Sequence, residues 1–383
     1  MVTQNRPAIP PEQRFDSAAG SFYLQRLPIS SPRNLQAWDA ADELIHDYLV
    51  ANPDIRRPLL INDQFGALLM PLADREVYSV SDSYVSHCAW HHNLSLNQLP
   101  DRLQALGPLD PLPATADLVL LKIPKSLSLL EFQLAQLAAT LPAGTPIVAA
   151  AKSKLFTPAV RELFQRYCDQ AEVSLAQKKS RLLQARTRSV TIDSEHFVSR
   201  WSVPEFGFEL LHHAGVFARN QLDIGARFLL EHLPPAGAAD VIDLGCGNGV
   251  LGIGYGRVSP ASPITWVDES FLAVASTRAN IAANLDADSG HYQALVDDCL
   301  SQQPDQSSDL ILCNPPFHQE HAVTSHIAIQ MFTDARRVLR QGGELRVVAN
   351  RHLAYHQPLK HLFGAVRQIA ANPKFVILSV KKR

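Results

Sequence analysis

Cysteine is scarce and scattered in this 383-residue chain: the five, at 88, 168, 246, 299 and 313, form neither a paired framework nor a metal-ligand spacing. That excludes a disulfide scaffold and a structural zinc, and it fits a reducing cytoplasm. Charge of one sign is missing too. Lys and Arg together number 35 against 37 Asp and Glu, a formal net charge of −2, so any nucleic-acid contact has to come from a local patch. No apolar run approaches the ~20 residues of a membrane span, and none is expected. The first twenty residues, MVTQNRPAIPPEQRFDSAAG, lack the apolar stretch of an export signal and are proline-rich; they read as a disordered leader.

What is present is the composition of a soluble globular protein, 46% hydrophobic and 19% charged, in a chain long enough for two domains. Strand-like and helical stretches alternate, which predicts doubly wound parallel sheets. The strand candidates are Leu59-Leu-Ile, Val77-Tyr-Ser-Val, Leu118-Val-Leu-Leu and Ile147-Val-Ala-Ala, then Asp240-Val-Ile-Asp-Leu, Ile264-Thr-Trp-Val-Asp, Leu310-Ile-Leu-Cys and Leu345-Arg-Val-Val-Ala. Ser30-Ser31-Pro32 is expected to cap a helix through Leu35 to Leu44.

The succession repeats itself. Asp82-Ser83 with Asn93 and Asn97 lies 187 residues before Glu269-Ser270 with Asn280 and Asn284, and Asp117-Leu-Val-Leu-Leu-Lys-Ile-Pro124 lies 192 before Asp309-Leu-Ile-Leu-Cys-Asn-Pro-Pro316. This points to a tandem duplication of one α/β unit of about 190 residues, with convergent patterning as the competing account. The expected layout is a leader 1–20, a first domain 21–189 and a second domain 190–383. In the first copy Lys122 and Ile123 replace Asn314 and Pro315, and the glycine turn shrinks to Asn62-Asp-Gln-Phe-Gly66. That copy keeps the frame and loses the site.

Two motifs in the second copy carry chemistry. Asn314-Pro315-Pro316-Phe317 follows an apolar run, and two prolines end a buried strand in a stiff loop. An amide, a free carbonyl and a ring at the carboxyl end of a strand suit a planar amine such as the exocyclic NH2 of a nucleobase; an ordinary turn with a core Phe is the plainer alternative. Upstream, Val241-Ile-Asp-Leu-Gly-Cys-Gly-Asn-Gly-Val-Leu-Gly252 is a strand, a glycine turn and a helix start, followed by the acidic pair Asp268-Glu269. Glycines admit a ligand to the backbone and helix-start amides favour an anionic group. Gly247 to Gly252 also satisfies the dinucleotide fingerprint. Asp243 and the Asn-Pro-Pro-Phe loop tip the choice, because an acid so close to the turn can hold an ammonium group, which S-adenosylmethionine has and a dinucleotide lacks.

Together these motifs resemble the class I S-adenosylmethionine-dependent methyltransferases acting on base amino groups, and with the degenerate first copy the ribosomal RNA guanine-N2 methyltransferases of the RsmC/RlmG family. Leu35-Gln-Ala-Trp38, Val216-Phe-Ala-Arg219, Leu222-Asp-Ile-Gly-Ala-Arg-Phe228, Val267-Asp-Glu-Ser270, Phe317-His-Gln-Glu-His321 and Ala349-Asn-Arg-His352 look most like its large-subunit (23S) branch. The resemblance implies two tandem Rossmann-like methyltransferase domains, the first degenerate and given to RNA recognition. It implies S-adenosyl-L-methionine as cofactor, ribosomal RNA as partner, and no membrane or metal. It also implies catalytic roles for Asn314, Pro315 and Phe317. Asp243, Gly245 and Gly247 would hold the methionine part of the cofactor, Asp268 its ribose and Asp298 its adenine amine, with Asp297 as rival. Phe217 and Asp223 would line the cofactor pocket, although helix capping suits Asp223 equally. His318 and His321 read as loop histidines near the substrate, since no acidic partner stands at metal-ligand spacing.

Other readings are a small-subunit (16S) enzyme of the same family, a protein glutamine methyltransferase, which uses a similar tetrapeptide on an amide but lacks a duplicated first half, and a non-catalytic RNA-binding assembly factor, against which the intact turn and loop argue. Lys178, Lys179, Arg181, Arg186 and Arg188 form a run without Asp or Glu from Val173 to Ile192, either a phosphate-tracking strip or a solvated hairpin face.

Overall fold

The computed structural model describes residues 13–29, 35–237, 240–286, 290–316 and 321–383, and the chain divides into two units, Met1–Asp193 and Ser194–Arg383. The first opens with the hairpin β1 (Arg14–Ser17) and β2 (Gly20–Tyr23), followed by α1 (Ala40–Ala51), β3 (Pro58–Ile61), β4 (Val77–Val80), α2 (Tyr84–Leu96) and β5 (Leu103–Leu106). Then come β6 (Leu118–Lys122), α3 (Leu127–Thr140), β7 (Pro146–Lys152), α4 (Pro158–Tyr167), β8 (Cys168–Val173) and β9 (Ser180–Thr187). The hairpin begins inside the stretch read as a leader, because Phe15 has a buried place in the first core. Helix α1 starts later than expected: Asp39 caps it and Asp42 answers to the Asp39 N–H, a capping box built of two aspartates. The expected cap at 30–32 lies outside the described residues.

The second unit runs β10 (Ser199–Val203), β11 (Phe208–His212), α5 (Ile224–Leu230), β12 (Val241–Leu244), α6 (Val250–Val258), β13 (Ile264–Asp268) and α7 (Phe271–Asn284). It continues with β14 (Tyr292–Val296), β15 (Ser308–Cys313), α8 (His321–Val338), β16 (Leu339–Asn350), α9 (His356–Phe363), β17 (Arg367–Ala371) and β18 (Phe375–Lys381). Among the described residues no helix is long and apolar enough to cross a membrane.

The two seven-stranded sheets share one order, β5-β4-β3-β6-β7-β9-β8 and β14-β13-β12-β15-β16-β18-β17. The first five strands of each are parallel and an antiparallel hairpin closes the edge, so the doubly wound reading is right for five strands and the last two make the sheet mixed. Pairing registers turn the repeat into residue equivalences. Ile61 pairs with Val80 as Leu244 pairs with Val267, and Leu60 pairs with Leu120 as Asp243 pairs with Leu312. Leu60, Ser81 and Lys122 therefore occupy the places of Asp243, Asp268 and Asn314.

The recurring asparagines have a shared structural task. Asn280 and Asn284, one turn apart on α7, each exchange a pair of hydrogen bonds with the backbone of β11, at Leu211 and Glu209. Asn93 on α2 and Asn97 at its C-terminal cap do the same for Gln25, just past β2, and for Tyr23. A carboxamide offers a donor and an acceptor side by side, as a neighbouring strand would, so in each unit the helix pins the opening hairpin.

Candidate active site

The carboxyl ends of β12, β13, β14 and β15 meet where the strand order reverses, the position at which open α/β sheets bind ligands. Side-chain alternation decides what faces what. Val241, Leu310 and Leu312 enter the core shared with α5 and α6, whereas Ile242, Leu244 and Ile311 enter the core shared with α8 and α9. Asp243 therefore points toward α6, and Asn314, two residues beyond Leu312, toward α5.

Asp243 is buried, and its Oδ2 accepts the Gly252 N–H at 2.8 Å. An acid on the strand thus caps the following helix from below. Its Oδ1 is buried with no hydrogen-bond partner among the described residues. Burial pushes the carboxyl up to about 8, against the Gly252 hydrogen bond, with nearby Asp268 adding to the rise. A buried polar atom left unmet costs about 1–3 kcal/mol. An ammonium group would meet it and restore the ionised form, so this donor set fits the methionine end of the expected cofactor.

The glycine turn follows from close packing. Gly245 and Gly247 have φ of 68° and 55°, a region costly for other residues. At Gly252 a Cβ would lie 2.3 Å from Trp266 Nε1, so α6 can sit on β13 only as glycine. The backbone donors expected to serve a ligand point elsewhere: the Gly245 N–H goes to Val267 O at 2.8 Å and the Gly247 N–H to Asp268 Oδ2 at 2.8 Å. What the two glycines offer is shape. Asp268 also accepts from the Ser270 N–H at 3.0 Å, so it is fixed at the end of β13, and burial raises its pKa.

The two rival acids after β14 separate clearly. Asp297 is spent within its own turn, on the Ser301 hydroxyl and the Gln302 N–H. Asp298 meets Gln330 of α8 at 3.0 Å and is raised by burial. Phe217 is half exposed in the segment leading to α5.

Asn314 is half-buried at the end of β15, with Pro315 buried beside it. Its Nδ2 donates to Asp223 Oδ2 at 3.1 Å, and its Oδ1 is buried and unpaired among the described residues. Asp223 does cap α5, accepting the Ala226 N–H at 2.8 Å, but it also reaches 91 residues along the chain to the loop. No sequence signal marked that pair. Nor did one mark Asn248, whose side chain turns inward to His212 Nε2 at 2.7 Å. Phe317 and His318 lie outside the described residues, as does the side chain of His321. Among the described residues no group of His, Cys, Asp or Glu could hold a metal.

The basic run lies on β9, the turn before it and the residue after it. Lys178 pairs with Glu43, and Arg188 with Asp169 at 2.7 Å. Arg181 and Arg186 donate to the backbone at Ser174 and Gly144. Folding brings in acids from α1 and β8, so the run is less positive than its sequence suggests.

Strand order, glycine turn, strand-end acids and the Asn-Pro-Pro loop define a class I S-adenosylmethionine-dependent methyltransferase. Residues 12–189 match the family described as RLMG N-terminal domain and residues 207–379 the family described as methyltransferase small domain. The chain belongs to the ribosomal RNA large subunit methyltransferase G family. It is 43% identical to the protein of that name from Pseudoalteromonas translucida and 45% identical to that of Erwinia tasmaniensis, in each case over 94% of this chain and 96% of the relative. The Aeromonas salmonicida relative is 44% identical over 96% of this chain and 99% of its own. Among solved structures, the T. thermophilus 16S rRNA N2 methyltransferase RsmC, in complex with AdoMet and guanosine, is similar in fold, with a TM-score of 0.78, 22% identity and 97% of both chains covered.

Proposed function

We propose that this chain methylates the exocyclic N2 of a guanine in large-subunit (23S) ribosomal RNA, as the name of its relatives and the chemistry of its loop together suggest. The observation that carries the reading is the Asn314 amide, whose NH2 end is held by Asp223 while its oxygen lies buried and unpaired among the described residues. Such an oxygen wants an N–H donor. A guanine N2 amine has its lone pair delocalised into the ring; accepting its protons at Asn314 Oδ1 and the Pro315 carbonyl favours a pyramidal nitrogen and aims the lone pair. Phe317 stacks on a base taken out of its helix. No strong general base is required.

Asp243 holds the cofactor's ammonium, the Gly245 and Gly247 backbone makes room for its methionine chain, and Asp268 holds its ribose. Asp298 takes the adenine amine, and Phe217 borders the pocket. Bound there, S-adenosylmethionine supplies an electrophilic methyl on its sulfonium. The first unit, with Leu60, Ser81 and Lys122 at the three equivalent positions, serves RNA recognition. The enzyme works in the cytoplasm on ribosomal RNA or its precursor.

Asn314→Ala should lower the rate of tritiated methyl transfer to large-subunit RNA on the order of a hundredfold, with cofactor affinity retained. Mass spectrometry of the RNA from a deletion strain should show one N2-methylguanosine missing. Label appearing in a protein or in 16S RNA instead would overturn the substrate.

A further inference from the structure

We propose that Asp223 is a positioning residue for methyl transfer: its carboxylate holds the Asn314 amide in the one orientation that turns Oδ1 toward the substrate amine. The inference rests on the role given to Asn314 above.

An amide side chain can sit either way round, and only its partners decide. A carboxylate accepts and cannot donate, so the end of Asn314 that faces Asp223 at 3.1 Å has to be NH2. Asp223 is itself fixed, because the same Oδ2 caps α5 through the Ala226 N–H at 2.8 Å. Gly225 leaves the room: a Cβ there would lie 3.0 Å from Asp223 Oδ2 and 3.4 Å from Asn314 Oδ1. The helix start, the carboxylate and the amide thus form one short chain, with the acceptor oxygen at its far end.

The first unit carries the same device independently. Asp39 caps α1 as Asp223 caps α5, and its Oδ1 lies 2.8 Å from Lys122 Nζ, at the strand end equivalent to Asn314. The reach from helix cap to strand end belongs to the duplicated unit. In the second unit it is turned to an amide.

Three substitutions in the full-length chain test this. Ser still caps a helix but is too short to reach Asn314, so Asp223→Ser should lower kcat about ten- to a hundredfold while KM for S-adenosylmethionine and the apparent Tm stay near wild type. Asn keeps an acceptor oxygen in place, so Asp223→Asn should recover most of the rate. In an Asn314→Ala background, measured by single-turnover transfer to large-subunit RNA, Asp223→Ser should cost nothing further, because the two residues act as one unit. A wild-type kcat in Asp223→Ser would overturn the proposal. So would a loss that follows Tm or cofactor affinity, an Asn variant as slow as Ser, or full additivity in the double variant. If Asn314→Ala alone retains full activity, the reading of the loop fails first and is identified as the cause.

Discussion

Lys122 Nζ lies 2.8 Å from Asp39 Oδ1 and 2.6 Å from Asp42 Oδ1, at the strand end that carries Asn314 in the second unit. Burial opposes the charge on this lysine, and the two carboxylates prevail, raising its pKa. The degenerate site is thus filled by its own ion cluster.

Removing that lysine should expose the cost. Lys122→Met leaves two carboxylates facing one another without the cation that bridges them, a loss of about 3–5 kcal/mol for a buried pair broken on one side. The loss should shrink on acidification, as the acids take up protons, and vanish when Asp39→Asn and Asp42→Asn are added. Denaturant unfolding across about pH 4.5 to 8 measures this. A Lys122→Met protein as stable as wild type at the alkaline end would contradict the ion-cluster account.

Lys122→Asn, which copies the residue of the second unit's loop, should create no second cofactor site, because Leu60 and Ser81 remain in the places of Asp243 and Asp268, the acids proposed to hold the cofactor. Calorimetric titration with S-adenosylmethionine should return the wild-type stoichiometry. A doubled stoichiometry would show that the loop alone decides binding.

Asp243 predicts a pH dependence of defined sign. Its folded pKa is pushed up to about 8 from an ordinary carboxylate value, so the folded ligand-free state holds the proton more tightly than the unfolded chain. Its contribution to stability is therefore present at low pH and lost as pH rises toward about 8. Asp63 in the first unit, pushed up to about 7, acts in the same direction. Asp243→Asn should flatten the wild-type decline, making the ligand-free variant the more stable of the two near pH 8 while it loses affinity for the cofactor. Scanning calorimetry from about pH 5 to 8.5 reads the slope, and parallel curves for variant and wild type would refute it. Wild-type cofactor affinity should rise with pH up to about 8, since pairing with an ammonium releases the proton.

The asparagine clamps should be structural. Asn280 accepts the Leu211 N–H at Oδ1, 2.6 Å away, and donates from Nδ2 to Leu211 O and Asn248 O. Asn280→Ala leaves buried backbone groups unmet, an expected loss of about 2–4 kcal/mol, with the rate per folded molecule close to wild type. Hydrogen exchange at β11 should rise first. Unchanged protection there would mean that the hairpin is held otherwise.

For the basic run, replacing Lys178, Lys179, Arg181, Arg186 and Arg188 by Ala should weaken RNA binding. The salt dependence should flatten by about 0.7 to 0.9 in slope for each phosphate no longer neutralised. Because Lys178 and Arg188 already pair with acids, the change in slope should be smaller than five free cations would give. An identical slope would leave the run a solvated hairpin face.

The sequence by itself determined the duplicated α/β frame, the strand ends and the residue types at them. Hydrophobic alternation, glycine turns and paired prolines act over a few neighbours, and an offset repeated along the chain needs no contact to be seen. It also marked the degenerate copy, since a lysine cannot do what an amide does. What the tertiary structure alone decided is which polar groups remain to be met. The Gly245 and Gly247 amides are consumed by Val267 and Asp268, Asp297 is spent within its turn, and the basic run gains acids from other elements. The Asp223 to Asn314 hydrogen bond joins residues 91 positions apart. Hydrogen bonds are directional and short-ranged, so whether a donor faces a partner or a ligand follows from which elements pack together, and no local pattern in the chain records it.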